Sequence, residues 1–300
     1  SESVSKVVTF DNGLLLVTQS EKALHWWQEK DGLLKEIFTV PVSTDVQYTC
    51  QADGPMCLLI NDDRAYLVDL AMLRMQYVEG RPLLYDQHTF FQFHDSYYLL
   101  TKQANSVILQ KIGATITSQT FLADADAFTL ANNAVFFVQD GIVWEQSLIT
   151  SISKKVASLS NKKLKIKTIY ADDHNLIWQT TEGAVTVWDR EKAKSIGSWD
   201  NAELTRHDNF VAITSGAKAW VVTKAGSEIT FLGQMADTVL DVQPYTPASW
   251  LVTLPAGDYV MIMKEPQIQN AFHAPYNEVH VMASQTVVSI NQSKLYYYSF

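Results

Sequence analysis

The stretch from Gly183 to Asp200, GAVTVWDREKAKSIGSWD, indicates how this chain folds. It contains two strand-length runs, AVTVWDR and KSIGSW, which are rich in the branched and aromatic residues that fit a pleated surface. The polar triplet TEG, which ends at Gly183, precedes the first run at a place where glycine can supply the positive φ of a tight hairpin. The stretch therefore predicts two adjacent β-strands.

The same alternation of polar turns and apolar runs recurs along the whole chain. Eight turn signals, built mainly from Asp, Asn, Gly and Ser, each precede an apolar run and recur about every 39 residues, a period that suits a unit of four short strands. They are DNG before Leu14, ADGP before Met56, HDS before Tyr97, ANN before Ala134, DDHN before Leu176, HDN before Phe210, TPA before Ser249 and ASQ before Thr286.

A second polar turn and further β-rich runs complete each unit. The second turns are QSEKA, NDDRA, KQANS, QDG, TEG, SGAKA, PAGD and NQSK. Seven units of four strands and an eighth of three predict an all-β fold, a β-propeller with eight four-stranded antiparallel blades from which one strand is missing. Seven blades is the alternative. Because no Pro/Gly/Ser-rich linker divides the chain, we expect residues 1–300 to form a single domain.

One unit carries a family resemblance. Gly183–Asp200 resembles the third and fourth strands of a WD-repeat blade, with Trp188-Asp189 at the end of the third strand, and Leu67-Val68-Asp69 and Trp26-Trp27-Gln28 are weaker matches. The unit is also similar to the quinoprotein-type repeat, in which a strand, an Asp, a Thr-Gly-Lys turn and a Trp follow in order. The resemblance implies a β-propeller. Because the Thr-Gly-Lys turn is absent, we expect no bound cofactor.

Composition and charge exclude several classes of protein. With 47% hydrophobic and 18% charged residues the chain can bury a large core, which excludes a disordered chain, collagen and a coiled coil. The net charge of −9 argues against nucleic-acid binding, which requires a phosphate-neutralising surface. No apolar run approaches the roughly 20 residues of a transmembrane helix.

The compartment is left open by the sequence. The N-terminal residues SESVSKVVTF lack the charged-then-apolar form of a signal peptide, although a signal removed before residue 1 would leave the periplasm or the exterior open. Cysteine usage favours the cytoplasm weakly.

The connections between predicted sheets carry most of the candidate binding residues. In a four-stranded antiparallel sheet, the turn between the second and third strands lies at the same end as the connection to the next sheet; we call this end the rim. The rim candidates are Asp45, Asp86, His88, Asp124, Asp126, Asp200, Asp237 and His273. Lys162, Lys163, Lys165 and Lys167 form one basic sector. Such a rim would orient a partner that has a basic segment, whereas the alternative is that the loops of an acidic protein are simply acidic.

Catalytic and metal-binding motifs are absent from the sequence. It contains no Gly-x-Ser-x-Gly elbow, Walker loop, dinucleotide fingerprint or His-Glu-x-x-His motif, so we predict no catalytic residue. The histidines and cysteines lack zinc-site spacing, and the acidic clusters lack a calcium loop, so we predict no metal.

Cys50 and Cys57 are the two cysteines, and they flank Asp53-Gly54. If Asp53-Gly54 forms a two-residue turn, the cysteines face each other across a hairpin within disulfide reach. Pro55 complicates this register because it cannot donate a ladder hydrogen bond. The favoured interpretation is two small buried hydrophobic side chains in a reducing compartment, with a disulfide as the alternative.

These patterns favour a non-enzymatic interaction scaffold, a propeller subunit or domain of a larger assembly that binds a protein or peptide through its acidic rim. The alternative is an enzyme or ligand-binding propeller that uses a pocket at the mouth of the central channel, with Asp86, His88, Asp124, Asp126 and His273 around it. A third possibility is a propeller domain of a longer protein that docks onto helical repeats.

Overall fold

The computed structural model describes residues 3–10, 13–20, 22–30, 33–42, 46–51, 54–62, 64–85, 87–159, 164–207, 210–223, 226, 228–246, 249–255, 258–263, 268–273, 278–281, 286–291 and 294–299. These residues form 31 β-strands in eight antiparallel sheets, which follow one another along the chain. Seven sheets have four strands and the last has three, as the repeat predicts.

The first four sheets have the following strands. Sheet 1 contains β1 (Ser3–Phe10), β2 (Gly13–Gln19), β3 (Ala23–Lys30) and β4 (Leu33–Pro41). Sheet 2 contains β5 (Val46–Cys50), β6 (Met56–Asn61), β7 (Arg64–Asp69) and β8 (Arg74–Val78). Sheet 3 contains β9 (His88–Phe93), β10 (Ser96–Gln103), β11 (Ser106–Ile112) and β12 (Ile116–Leu122). Sheet 4 contains β13 (Ala127–Ala131), β14 (Ala134–Gln139), β15 (Ile142–Ser147) and β16 (Ser153–Ser158).

The second four sheets repeat this order. Sheet 5 contains β17 (Ile166–Ala171), β18 (Asn175–Thr180), β19 (Val185–Asp189) and β20 (Lys194–Trp199). Sheet 6 contains β21 (Glu203–Arg206), β22 (Phe210–Ser215), β23 (Lys218–Thr223) and β24 (Ile229–Gln234). Sheet 7 contains β25 (Asp241–Thr246), β26 (Ser249–Thr253), β27 (Asp258–Met263) and β28 (Ile268–His273). Sheet 8 contains β29 (Glu278–Val281), β30 (Thr286–Asn291) and β31 (Lys294–Ser299).

Sheet 4 shows how the polar turns set the register. Ala131 pairs with Ala134, and the two residues between them, Asn132 and Asn133, both have positive φ. Gln139 pairs with Ile142 across Asp140-Gly141, which also both have positive φ. Two consecutive residues with positive φ make the turn that matches the right-handed twist of a hairpin. The turns predicted from ANN and QDG are therefore confirmed.

The chain divides into two units. Unit 1 consists of Ser1–Gln103, Ile108–Phe121 and Tyr276–Phe300, and unit 2 consists of Ala104–Val107 and Leu122–Pro275. Unit 1 holds sheets 1, 2 and 8 and most of sheet 3, and unit 2 holds sheets 4 to 7. The prediction of a single domain over residues 1–300 stays a prediction.

Within each unit, successive sheets pack against each other through apolar side chains. In sheet 2, Cys57 and Leu59 pack in a cluster with Trp26 of sheet 1, whereas Leu58 packs in a different cluster with Phe90 of sheet 3. Side chains alternate along a strand, so a strand between two covered faces needs apolar residues at nearly every position. This explains why the second strands read as short continuous apolar runs, such as AVFFVQ in β14.

Sheets 4 to 7 repeat this packing within unit 2. Phe136 and Ile169 join sheets 4 and 5, Ile177 and Val211 join sheets 5 and 6, and Val221 and Val252 join sheets 6 and 7. The fourth strands carry much less of the core: four of the five residues of β8 are exposed. In sheets 2 to 6, whose side chains are described, the middle strands are therefore more buried than the fourth strand.

The cysteines are joined in the structure, contrary to the favoured interpretation of two unpaired side chains. Cys50 and Cys57 face each other at the end of the β5–β6 pair and form a disulfide with an S–S distance of 1.98 Å. The intervening turn is longer than the two residues considered from the sequence, because the Gln51 N–H donates to the Met56 carbonyl at 2.9 Å. This longer turn leaves Pro55 outside the ladder, and its carbonyl accepts from the Leu70 N–H.

Within the ranges that the structure describes, no helix is long and apolar enough to cross a membrane.

Candidate protein-interaction rim

A recurring backbone hydrogen bond builds the rim. After the fourth strand of a sheet, one N–H donates to a carbonyl in the turn between the second and third strands of the same sheet. The bonds run from Val42 to Lys22 in sheet 1, Leu159 to Gly141 in sheet 4, Ala202 to Gly183 in sheet 5 and Val239 to Gly216 in sheet 6, all at 2.8–2.9 Å. Each connection is thereby tied to a hairpin, which gives the rim a defined backbone on which side chains can be presented.

The rim of unit 2 is acidic. Its turns, its connections and the first two residues of the following strands contain eight acidic side chains and three lysines among those described. The acids are Asp124, Asp126, Asp140, Glu182, Asp200, Glu203, Asp237 and Asp241, and the lysines are Lys165, Lys167 and Lys218. Asp126 and Asp241 are half-buried and the other six acids are exposed. Like charges concentrated at one end of the sheets produce a negative potential there.

Asp124 and Asp126 lie in the connection that enters sheet 4. Asp124 is exposed and has a φ of 56°, a left-handed conformation that Asp tolerates better than most residues. The Asp126 N–H donates to the Val138 carbonyl at 2.8 Å, which ties this connection to β14. The two residues shape the entry to sheet 4, and the Asp124 carboxylate is on its surface.

Asp200 and Asp237 lie in the connections that follow sheets 5 and 6. Both side chains are exposed. The Asp200 carbonyl accepts a hydrogen bond from Ser215 Oγ, and an Asp237 carboxylate oxygen accepts from the adjacent Thr238 N–H at 2.6 Å. The two carboxylates are therefore presented on ordered turns.

Two histidines of the predicted rim lie at strand ends. Half-buried His88 begins β9, and its Nδ1 lies 2.7 Å from the Tyr85 carbonyl, so this ring nitrogen donates to the preceding loop. His273 ends β28, opposite Asp258. Asp45, Asp86, Lys162 and Lys163 lie outside the described residues. The predicted grouping of His88 with Asp86 and His273 stays a prediction.

Glu203 is the rim carboxylate with the best-defined surroundings. It accepts a hydrogen bond from the Gln179 side-chain amide at 3.1 Å and lies 3.4 Å from Lys167 Nζ. The Gln179 bond first, and the Lys167 charge in addition, hold the pKa of Glu203 below its ordinary value. Gln179 itself is buried and also donates to the Ala202 carbonyl, so it fixes the carboxylate to the rim connection.

Unit 1 contains a shallow cavity of about 250 Å³. It is lined by Tyr98, Leu109, Lys111, Thr117, Ser118 and Gln119, all on strands of sheet 3 in unit 1. None of the rim candidates lines it. Across the described side chains, no group of three or more His, Cys, Asp or Glu could hold a metal ion.

The sequence did not single out the rim acids Asp140, Glu182 and Asp241, or one half-buried charge pair. Asp140 and Glu182 lie in the turns between second and third strands. The motifs QDG and TEG predicted these turns, but they did not indicate that the acidic side chains belong to a binding surface. Arg190 and Glu145 form an ion pair of 3.0 Å with both side chains less than one-fifth exposed, and they are 45 positions apart. No local spacing signals such a pair, because it forms between two different sheets.

Comparisons with known proteins identify the fold. No protein-family model and no curated protein sequence matches the chain. Among solved structures, BamB from Moraxella catarrhalis is 10% identical with a TM-score of 0.57, covering 98% of this chain and 96% of that one. Hsv2 from Kluyveromyces lactis is 10% identical with a TM-score of 0.56, covering 91% and 99%. PorZ, a surface component of the type-IX secretion system of Porphyromonas gingivalis, is 13% identical with a TM-score of 0.56, covering 96% of this chain and 41% of PorZ.

These neighbours are β-propellers, and they confirm the fold class predicted from the repeat. The chain is an all-β protein with four-stranded antiparallel sheets arranged as in a propeller. At 10–13% identity the likeness concerns the fold alone. The WD-repeat likeness of Gly183–Asp200 stays a resemblance, and the blade number of eight rather than seven stays a prediction.

Proposed function

We propose that this protein is a non-enzymatic interaction scaffold that binds a protein or peptide with a basic segment through its acidic rim. The observation that carries the proposal is the excess of exposed carboxylates at one end of sheets 4 to 6, held on connections that are hydrogen-bonded to neighbouring turns. A fixed array of negative charge raises the association rate of a basic partner and selects its orientation. Lys165 and Lys167 interrupt the array, so a complementary partner carries an acidic residue beside its basic segment.

The fold supports this proposal indirectly. Propellers serve as interaction modules, and PorZ is a surface component of a secretion system. The charge of the rim is stronger support for this function than the fold class is, because one fold hosts many functions. The disulfide between Cys50 and Cys57 further favours an oxidising compartment for the encounter.

The proposal is tested by neutralising the rim without changing side-chain shape. The rim variant carries Asp124→Asn, Asp200→Asn and Asp237→Asn; asparagine also tolerates the left-handed φ at position 124. The control variant carries Asp173→Asn and Glu191→Gln, two exposed acids at the opposite end of sheet 5. Affinity purification from the native cells with mass spectrometry identifies stoichiometric partners, and titration with a labelled pentalysine-containing peptide measures the charge component.

The expected result is that the wild type and the control variant retain the same partners, whereas the rim variant loses them. We also expect the rim variant to bind the peptide at least fivefold more weakly, with a shallower dependence on salt. Partners that the rim variant retains at full stoichiometry would exclude the acidic rim as the binding surface.

We also propose that residues 1–300 form one propeller domain with eight blades. Eight sheets that follow one another through short connections support this proposal. A single cooperative transition is expected in scanning calorimetry. Two separate transitions, one for each unit, would contradict it.

A further inference from the structure

The turn between the third and fourth strands of sheet 4 protrudes from unit 2 with two isoleucines at its tip. Every residue from Ile149 to Lys155 is exposed. Ile149 and Ile152 are 67% and 68% exposed, more than any other large hydrophobic side chain in the described residues. Leaving such side chains in water forgoes the favourable transfer free energy of the hydrophobic effect, so their exposure points to an apolar environment that they enter.

Hydrogen bonds hold this turn in shape. Ser147 Oγ accepts from the Ile149 and Thr150 N–H groups at 3.2 Å, and the Ser147 N–H donates to the Ile152 carbonyl at 3.1 Å. Ser151 has a φ of 56°, which reverses the chain between the two isoleucines. The isoleucines therefore extend from an ordered turn, and inserting them into another phase requires little further ordering of the backbone.

Basic side chains surround this turn. The Glu145 carboxylate forms ion pairs with Arg190, at 3.0 Å, and with Lys154, at 3.1 Å. The pair with Arg190 links sheet 4 to sheet 5. Lys155 and Lys194 are exposed and have no ion-pair partner among the described side chains. Within the two segments 148–155 and 190–194, Glu191 is the one acidic residue. We call the surface formed by Ile149, Ile152, Lys154, Lys155, Lys192 and Lys194 the hairpin face.

The hairpin face and the acidic rim lie at opposite ends of the same sheets. Turns alternate ends in an antiparallel sheet, so the turns between third and fourth strands are opposite the rim. A negatively charged surface attracts the lysines and repels the rim. Two acids, Asp172 and Asp173, lie in the turn between β17 and β18 at the same end as the hairpin face. Both make hydrogen bonds to nearby groups: the Asp172 carboxylate accepts from the His174 and Asn175 N–H groups, and Asp173 accepts from the Asn132 side chain.

We propose that the hairpin face binds the surface of an anionic lipid bilayer, with Ile149 and Ile152 in the interfacial region and the lysines at the headgroups. A peripheral membrane site combines aliphatic side chains at its tip with flanking lysines. Protein hot spots instead favour Trp, Tyr and Arg in well-packed pockets, which this protruding turn lacks. In unit 1, the equivalent turn of sheet 2 exposes Met72 and Leu73 and is followed by Arg74, the same order of apolar and basic residues.

The test is flotation of the intact protein with vesicles of phosphatidylcholine alone or with 30% phosphatidylglycerol. The wild type is expected to partition onto the anionic vesicles at least about 25-fold more strongly than onto the neutral ones. Ile149→Ser with Ile152→Ser is expected to lower that partition at least tenfold. Lys155→Gln with Lys194→Gln is expected to lower it roughly 25-fold, from about fivefold for each lysine near an anionic surface.

Matched controls separate this proposal from unfolding and from the proposed function. Leu240→Ser removes an exposed leucine at the rim end and is expected to leave partition unchanged. The rim variant described above is expected to retain or increase partition, because it removes negative charge that an anionic surface repels. Circular dichroism verifies that each variant folds. Equal partition onto both vesicle types, no partition at all, or an isoleucine variant that binds like the wild type would each overturn the proposal. Tight binding of soluble polyglutamate that does not depend on the isoleucines would assign the face to an acidic protein instead.

Discussion

Asp189 and Ala193 stand four positions apart and together shape the turn between β19 and β20. The nearly fully buried Asp189 carboxylate accepts the Lys192 N–H at 2.8 Å, and Ala193 then adopts a φ of 50°. The same pair of features recurs at Asp69 with Leu73 and at Ser147 with Ser151. A side-chain acceptor that caps the turn and a left-handed residue four positions later are therefore a repeated device of these sheets.

Because a side chain with a Cβ is strained at positive φ, Ala193→Gly is expected to stabilise the protein by about 0.5–1 kcal/mol. Ala71→Gly is the matched control. Ala71 lies in the equivalent turn of sheet 2 without a positive φ, so glycine there adds only unfolded-state entropy and is expected to destabilise. Urea unfolding of both variants measures the difference. Equal destabilisation by the two substitutions would contradict the strain argument.

Removing the Asp189 carboxylate is expected to destabilise the fold by about 1–3 kcal/mol, because it removes the charged acceptor of the Lys192 N–H in this turn. The carboxylate also contacts Lys192 Nζ at 2.8 Å, and this hydrogen bond raises the pKa of Lys192. Asp189→Asn retains an acceptor and is expected to cost less than Asp189→Ala. Asp69→Ala is the comparison, because half-buried Asp69 caps a similar turn. Thermal melts that rank Asn and Ala equally would show that the acceptor is not what matters.

Opening the Cys50–Cys57 disulfide is expected to cost about 2 kcal/mol, since a bridge that closes so short a loop removes little entropy from the unfolded chain. Cys50→Ser with Cys57→Ser provides the measurement by chemical denaturation. A reducing agent applied to the wild type should lower its stability to that of the double variant and leave the variant unchanged. A variant as stable as the oxidised wild type would contradict this expectation.

The stability of unit 2 is expected to depend on Glu203 in acid. Its pKa is lowered in the folded state, so its contribution is present above the ordinary pKa of a glutamate and is lost as the pH falls through the folded value. Because the side chain is 70% exposed, solvent screening makes the effect small. Glu203→Gln should flatten the stability profile in the pH range below the ordinary pKa of a glutamate. Gln179→Glu, which replaces the main hydrogen-bond donor with a like charge, should raise the pKa of Glu203 measured by NMR.

Much of the architecture was predictable because it depends on local chemistry. Turn residues such as Asn132-Asn133 and Asp140-Gly141 adopt positive φ by their own conformational preferences, so the hairpins and their spacing follow from the sequence. Continuous apolar runs such as β14 indicate strands covered on both faces. The strand number, the four-stranded unit and the propeller class all follow from these short-range signals.

Which side chains meet at these sites depends on contacts that the local sequence does not show. Lys154 pairs with Glu145 across two neighbouring strands of sheet 4, whereas Arg190 reaches the same carboxylate only because sheets 4 and 5 pack together. Gln179 orients Glu203 across a sheet connection for the same reason. The disulfide between Cys50 and Cys57 depends on the length of the turn between them, and the sequence around Pro55 did not determine that length.

The sequence by itself thus determined the strands, their turns and the negative charge of the chain, since conformational preference and charge belong to individual residues. Tertiary structure alone decided which carboxylates are exposed at one end of unit 2 and which isoleucines and lysines protrude at the other. Exposure and proximity are properties of packed sheets, and residues 20–50 positions apart come together only when apolar faces are buried against each other.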